Sequence, residues 1–266
     1  MERPQGDALL EALEQGRVRV AERADNGKWI VHAWVKEAIL DIFRASSVGP
    51  ASLELELAHE PGAFRDKQAF PIRRFSAEHG VRIVPGGSSV RRGAYLANGV
   101  VCMPPMYINV GAWIGSGTMV DSHALVGSCA QIGSKVHLSA AAQIGGVLEP
   151  AGARPVIIED EAFIGGNTGI YEGVMVRKAA VIAAGVVLTA STPVYDLVHQ
   201  RELRGTRESP LEIPERAVVV PGSRPMGGAY AQGLGLHAAC ALIVKYRDER
   251  TDRATALEDA LRAGLG

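Results

Sequence analysis

Every sixth residue from Val90 to Ile144 is aliphatic or its equivalent: Val90, Leu96, Cys102, Ile108, Ile114, Val120, Val126, Ile132, Leu138 and Ile144. Four residues after most of these anchors comes a small or medium apolar residue (Ala94, Ala112, Thr118, Ala124, Ala130, Ala142). After an interruption the beat returns at Ile158, Ile164, Ile170, Val176, Ile182, Leu188 and Val194, and again at Ile213 and Val219. A period of six is neither helical nor simple strand alternation. It predicts a mainly β chain wound as a parallel β-helix, three hexads to a coil, with coils about 4.8 Å apart. Gly111, Gly115, Gly117, Gly127, Gly133, Gly145 and Gly185 fall between anchors, where glycine tolerates the backbone angles of tight corners.

A solenoid exposes the edges of its end coils, so the flanking sequence is expected to cover them. Residues 7–15 read as an amphipathic helix, Arg17–Arg23 and Lys28–Trp34 as strands around an Asn26-Gly27 turn, and Val35–Arg44 as a second helix. Toward the end, Pro221–Gly235 reads as a loose Gly- and Pro-rich stretch, Ala238–Tyr246 as a strand and Thr251–Arg262 as a helix. The expected organisation is an N-terminal α/β cap (1–82), a β-helix (83–222) and a C-terminal extension (223–266).

A formal charge of −1 and 47% hydrophobic content describe a chain with a large core and no basic surplus for nucleic acid. No apolar targeting segment opens the sequence, which leads to the expectation of a cytoplasmic protein. Three cysteines without metal spacing argue against a disulfide framework or a zinc site, and Cys102, in an anchor slot, reads as core.

Non-repetitive blocks carry a resemblance. Gly117-Thr118-Met119-Val120-Asp121, Gly127-Ser128-Cys129-Ala130-Gln131-Ile132-Gly133, His137-Leu138-Ser139, Gly145-Gly146-Val147-Leu148-Glu149-Pro150 and Ile157-Ile158-Glu159-Asp160, together with Val18–Arg44, Arg82–Pro85 and Cys240–Lys245, resemble the tetrahydrodipicolinate N-succinyltransferases. The resemblance implies a left-handed helix, a homotrimer with sites between subunits, and transfer of succinyl from succinyl-CoA to an amino dicarboxylate in lysine and diaminopimelate synthesis, without a metal. It implies that Asp121 orients or deprotonates the acceptor amine; alternation after Val120 independently turns this carboxylate outward. It implies that Arg82 grips an acceptor carboxylate, for which a guanidinium offers two parallel hydrogen bonds. Ser139, eighteen residues beyond Asp121, is expected on the same face one coil on, as a substrate contact or a corner hydrogen bond. For CoA, Ala183-Ala184-Gly185 leaves room for the pantetheine arm, and Arg177, Lys178, Lys245 and Arg247 are candidate phosphate partners.

Two departures stand out. Gly169 falls where the family pattern calls for a glutamate, and Ala140-Ala141 where it calls for a glycine pair. They raise the alternative of a divergent relative acylating a related amino dicarboxylate in a tabtoxin-like pathway, with acetyl-CoA as donor. A γ-type carbonic anhydrase is a remoter alternative, needing three convergent histidines where the coils offer His123 and His137; His137 is also a minor candidate for a catalytic base.

Overall fold

The computed structural model describes residues 3–51, 64–206 and 209–248. Its centre is a three-sided stack of two-residue strands in which each strand pairs in parallel with those one coil before and after it. Face I runs from Arg82–Ile83 through Val101–Cys102, Met119–Val120, His137–Leu138, Phe163–Ile164 and Val181–Ile182 to Ala217–Pro225. Face II runs from Ser89–Val90 through Leu125–Val126 and Gly169–Ile170 to Val187–Leu188, and face III from Tyr95–Leu96 through Trp113–Ile114 and Gln131–Ile132 to Glu212–Ile213. The register is that of the hexads: Val120 pairs with Cys102 and Leu138, each eighteen residues away. All the anchors are buried, none more than 5% exposed. They stack into one continuous core, because only one side chain per short strand points inward while its predecessor points out.

Corner geometry corrects the expectation placed on glycine. The third residue after an anchor is left-handed in most hexads, but His123, Cys129, Lys135, Ala141 and Asn167 hold that position as well as Gly111 and Gly117. Gly127 serves another purpose: a Cβ there would lie 2.1 Å from the Gly146 nitrogen of the next coil. Close approach of stacked corners excludes a side chain at that position.

The beat is interrupted only where face II passes to face III. Gln131 pairs with Ile157, twenty-six residues on, and Met175 with Glu212, thirty-seven residues on. The second insertion contains Val194, which keeps the count and is buried, yet its strand Val194–Asp196 lies beside His237–Tyr246 at the top of face I. It is therefore not a regular coil anchor.

The N-terminal unit consists of α1 (Gly6–Glu14), the hairpin strands β1 (Ala21–Arg23) and β2 (Trp29–Val31), and α2 (Ala33–Ala45). It leans on the flank of the prism rather than plugging its end. Leu9, Leu10, Leu13, Val20, Val35 and Ile39 form a second core with Val110 and Cys129, which sit on corners between faces II and III. The hairpin is pinned to face III: the Arg19 guanidinium lies 4.2 Å from the Trp113 ring and donates to Gln131 Oε1 at 2.6 Å, and Trp29 Nε1 donates to Glu159. Outward aromatic side chains on that face account for the lateral docking, since the α/β unit packs on them and leaves them half-buried.

At the other end, Ala217–Pro225 pairs antiparallel with His237–Tyr246 over nine residue pairs. Pro221–Pro225 is thus strand, not loose chain, and this strand crosses the expected boundary at 222; a short helix, Ala229–Gly233, occupies part of the remaining stretch. Ala241 and Ile243 extend the main core and close the last coil. The expected helix Thr251–Arg262 lies outside the described residues. No helix among the described residues is long and apolar enough to cross a membrane.

Candidate active site

The edge where face I passes to face II carries no insertion. Its corners stack directly: Asp121 to Ala124, Ser139 to Ala142, Gly165 to Thr168, and Ala183 to Val186. Sequence reasoning placed Asp121, Ser139 and Ala183-Ala184-Gly185 in the site separately, and the fold brings them into one column. Asp121 follows the fully buried Val120 and is partly exposed. Its backbone N–H donates to Leu138 O at 2.9 Å, and its Oδ1 accepts the Ser122 N–H at 2.7 Å. That bond fixes the carboxylate's orientation, and among the described residues Oδ2 has no partner. Ser139 is one coil above, and no hydrogen bond engages its hydroxyl among the described residues, which speaks against the corner bond as its role. Arg82 is exposed on face I, where its strand lies two coils below the strand that precedes Asp121 and three below the one that precedes Ser139.

The basic candidates gather elsewhere, on the corners where face III passes to face I. Arg177 is committed to two carboxylates, Glu159 at 2.9 Å and Glu212 at 2.7 Å. Burial opposes its charge, but those hydrogen bonds outweigh it and hold its pKa above the usual value. Lys178 pairs with Glu161 at 3.3 Å, Arg247 donates to the carbonyls of Glu161 and Ala179, and Lys245 lies 3.8 Å from Asp248. The structure therefore separates these residues from Ala183–Gly185 by the width of face I.

Residues 6–45 match the family model described as the N-terminal domain of tetrahydrodipicolinate N-succinyltransferase, and residues 155–190 the hexapeptide repeat of succinyl-transferase. The chain is 46% identical over 264 residues to the 2,3,4,5-tetrahydropyridine-2,6-dicarboxylate N-succinyltransferase of Bradyrhizobium diazoefficiens, covering 96% of this chain and 88% of the relative. The enzymes of that name from Nitrobacter winogradskyi and Paramagnetospirillum magneticum are 46% and 44% identical with the same coverage. The chain belongs to the tetrahydrodipicolinate N-succinyltransferase family. It is an acyltransferase, and the carbonic anhydrase alternative falls away.

Against the family pattern, Gly169 has a structural reason. A Cβ at residue 169 would meet the Tyr171 ring at 2.5 Å and its hydroxyl at 2.9 Å. The ring folds back along face II and fills the space a side chain at 169 would take. Glu172 does not replace it, because its carboxylate accepts the Ala190 N–H at 3.1 Å in the next corner. Ala141 carries its methyl at a left-handed corner, φ 58°, at a cost of about 1 kcal/mol.

The two coil histidines stand in different surroundings. His123 occupies an exposed left-handed corner, while His137 is buried on face I and stacked on Phe163, ring centroids 5.0 Å apart. Among the described residues no group of three or more His, Cys, Asp or Glu could hold a metal ion.

Sequence reasoning passed over Asp196, in the second insertion. Its fully buried carboxylate accepts His199 Nδ1 at 2.9 Å, Tyr246 Oη at 2.8 Å, Arg201 Nε at 3.1 Å and the backbone N–H groups of Val198 and His199. Burial alone would raise its pKa; the converging donors reverse this and hold it well below the ordinary carboxylate range. The Asp-Leu-Val-His-Gln-Arg run (196–201) was the available signal, an acid followed at three and five residues by basic partners.

Proposed function

We propose that this chain transfers succinyl from succinyl-CoA to the amine of tetrahydrodipicolinate, in lysine and diaminopimelate synthesis in the cytoplasm. Three unpaired, buried cysteines suit a reducing compartment. The observation that carries the reading is the uninterrupted corner column with Asp121 at its base, in a chain so similar to enzymes of that name.

Water adds across the ring C=N bond of the acceptor to give an amine, and Asp121 accepts a proton from that amine as its nitrogen attacks the thioester carbonyl. The C–N bond forms, the C–S bond breaks, and the proton passes on to the departing thiolate, so that CoA leaves as the thiol. No covalent enzyme intermediate is needed, and backbone amides along the edge stabilise the oxyanion. Arg82 holds an acceptor carboxylate and Ser139 contacts the substrate. The pantetheine arm lies on Ala183-Ala184-Gly185, and an elongated donor laid across face I reaches Lys178 and Lys245.

We assign the coils the left-handed sense of the family and the assembly a homotrimer. Faces I and II support the trimer: they carry outward apolar side chains, among them Met119, Phe163 and the 54% exposed Val187, while the N-terminal unit covers face III. Packing faces I and II of neighbouring chains together would bury that surface and make three equal clefts.

A panel of succinyl-, acetyl- and other acyl-CoA donors against amino dicarboxylates, read by thiol release, tests the assignment. Fastest turnover with succinyl-CoA and tetrahydrodipicolinate supports it; preference for acetyl-CoA or another acceptor replaces it with the divergent-relative reading.

A further inference from the structure

At the foot of face III, beneath the C-terminal end of α1, three arginines and a histidine border one cavity of about 320 Å³. Arg73, Arg74, Arg92 and His79 form much of its wall, with Glu14 and Gln15 closing it from the helix. Face III lies across the prism from the column that holds Asp121, and Arg82 does not line this cavity.

Of the residues that line it, three carry guanidinium groups and one, Glu14, a carboxylate. Glu14, the acidic group on the wall, has its Oε1 committed to the Gly93 N–H at 2.9 Å. Arg92 pairs with Asp7 at 2.9 Å, but that aspartate is 75% exposed, and such a pair is weak and easily exchanged for a better partner. Among the described residues the Arg73 guanidinium donates to two carbonyl oxygens, Ala94 at 2.7 Å and Glu14 at 3.4 Å, and lies 4.6 Å from the Phe75 ring, with no carboxylate hydrogen-bonded to it. Burial lowers its pKa, although Glu14 and Tyr95 partly oppose the effect; an added anion would relieve that cost. His79 lines the same wall. Its Nδ1 accepts the Ser76 N–H at 3.0 Å, which places the ring proton on Nε2 and makes that atom a donor.

We propose that this cavity is an oxyanion-binding site for a small phosphorylated or carboxylated metabolite, gripped by Arg73, Arg74 and Arg92 with a hydrogen bond from His79 Nε2. Guanidinium groups match phosphate and carboxylate equally in geometry, and the space exceeds what a single tetrahedral oxyanion fills, leaving room for an organic portion. Occupancy would tie the end of α1 to the segment entering the first coil.

Calorimetric titration of the full chain with inorganic phosphate, and separately with succinate, tests this at constant ionic strength set with sodium chloride. Saturating CoA is present throughout to fill the donor site. Saturable binding of at least one anion is expected, and the tighter of the two identifies the headgroup. Arg74→Ala, and independently His79→Asn, which keeps an acceptor for Ser76 while removing the Nε2 donor, should each weaken it about tenfold, the scale of one hydrogen bond to a charged group. Succinyl-transfer activity without added anion should not change in either variant. Absence of saturable binding by both anions, or unaltered affinity in both variants, overturns the site, and neither result bears on the transfer reaction.

Discussion

Two edges of the same prism have been treated in opposite ways. Where face II passes to face III, the corners carry both insertions and the whole N-terminal unit, and residues such as Val110 and Cys129 are sealed beneath it. Where face I passes to face II, every corner from Asp121 onward keeps its four-residue length, no element among the described residues docks there, and small or polar residues line the column. The repeat supplies the same backbone to both. What the chain builds around the coils therefore distinguishes the edges: bulk collects on one, and the one left open carries the proposed transfer site.

The two aspartates express the contrast. Asp196, in an insertion, receives five hydrogen bonds and is fully buried, whereas Asp121 spends one oxygen on Ser122 and keeps the other unpartnered among the described residues. The largest effect expected is on stability: Asp196→Ala should cost about 3 kcal/mol by thermal or urea denaturation, since it strands donors from two chain segments. The pH profile adds a second test. Because the folded-state pKa of Asp196 is depressed, its contribution is complete above about pH 4, where an unfolded aspartate is ionised, and fades as pH falls toward the folded value. The variant should show a flatter stability curve below about pH 4; an unchanged acid limb would mean the cluster contributes nothing.

Asp121→Asn should be the mirror image. Asparagine can still accept the Ser122 N–H, so the melting temperature should hold while kcat drops about a hundredfold, the usual scale of acid–base help. Wild-type turnover would remove Asp121 from the chemistry and erase the distinction between the edges. Gly127→Ala probes the spacing of the sealed edge, where the new methyl meets backbone at 2.1 Å; about 2 kcal/mol of stability should be lost, and a neutral result would show that the corners can spread. Smallest is Arg82→Lys, which keeps the charge but loses the two-pronged grip. KM for the acceptor should rise about tenfold with kcat little altered, the equivalent of about 1.4 kcal/mol.

Much of this was legible in the hexads. Burial at Val90 through Val219 follows from period alone, and Asp121 and Ser139 share an edge because eighteen residues complete a coil. What the period could not reveal is what happens between beats. Val194 kept the count while belonging to an inserted strand, because a six-residue interval is indifferent to whether the chain has left the prism. The N-terminal unit was recognisable as helices and hairpin, but its docking on the flank depends on Trp113, Gln131 and Glu159 standing outward on face III, contacts far apart in sequence. Lys178 and Lys245 were grouped with Ala183–Gly185 by nearness in sequence or by family pattern, yet a single face of the prism is enough to part them. The Tyr171 ring over Gly169 was hidden for a similar reason, since two residues along a strand lie on one side and their side chains compete for the same space.

Hydrogen exchange read by mass spectrometry, with and without succinyl-CoA analogue and acceptor dicarboxylate together, tests the open edge most directly. Protection should appear at residues 121–124, 139–142 and 183–186 and leave 109–112 and 127–130, already covered by the N-terminal unit, unchanged. Protection confined to the covered corners, or none on the open column, would contradict the assignment of catalysis to that edge.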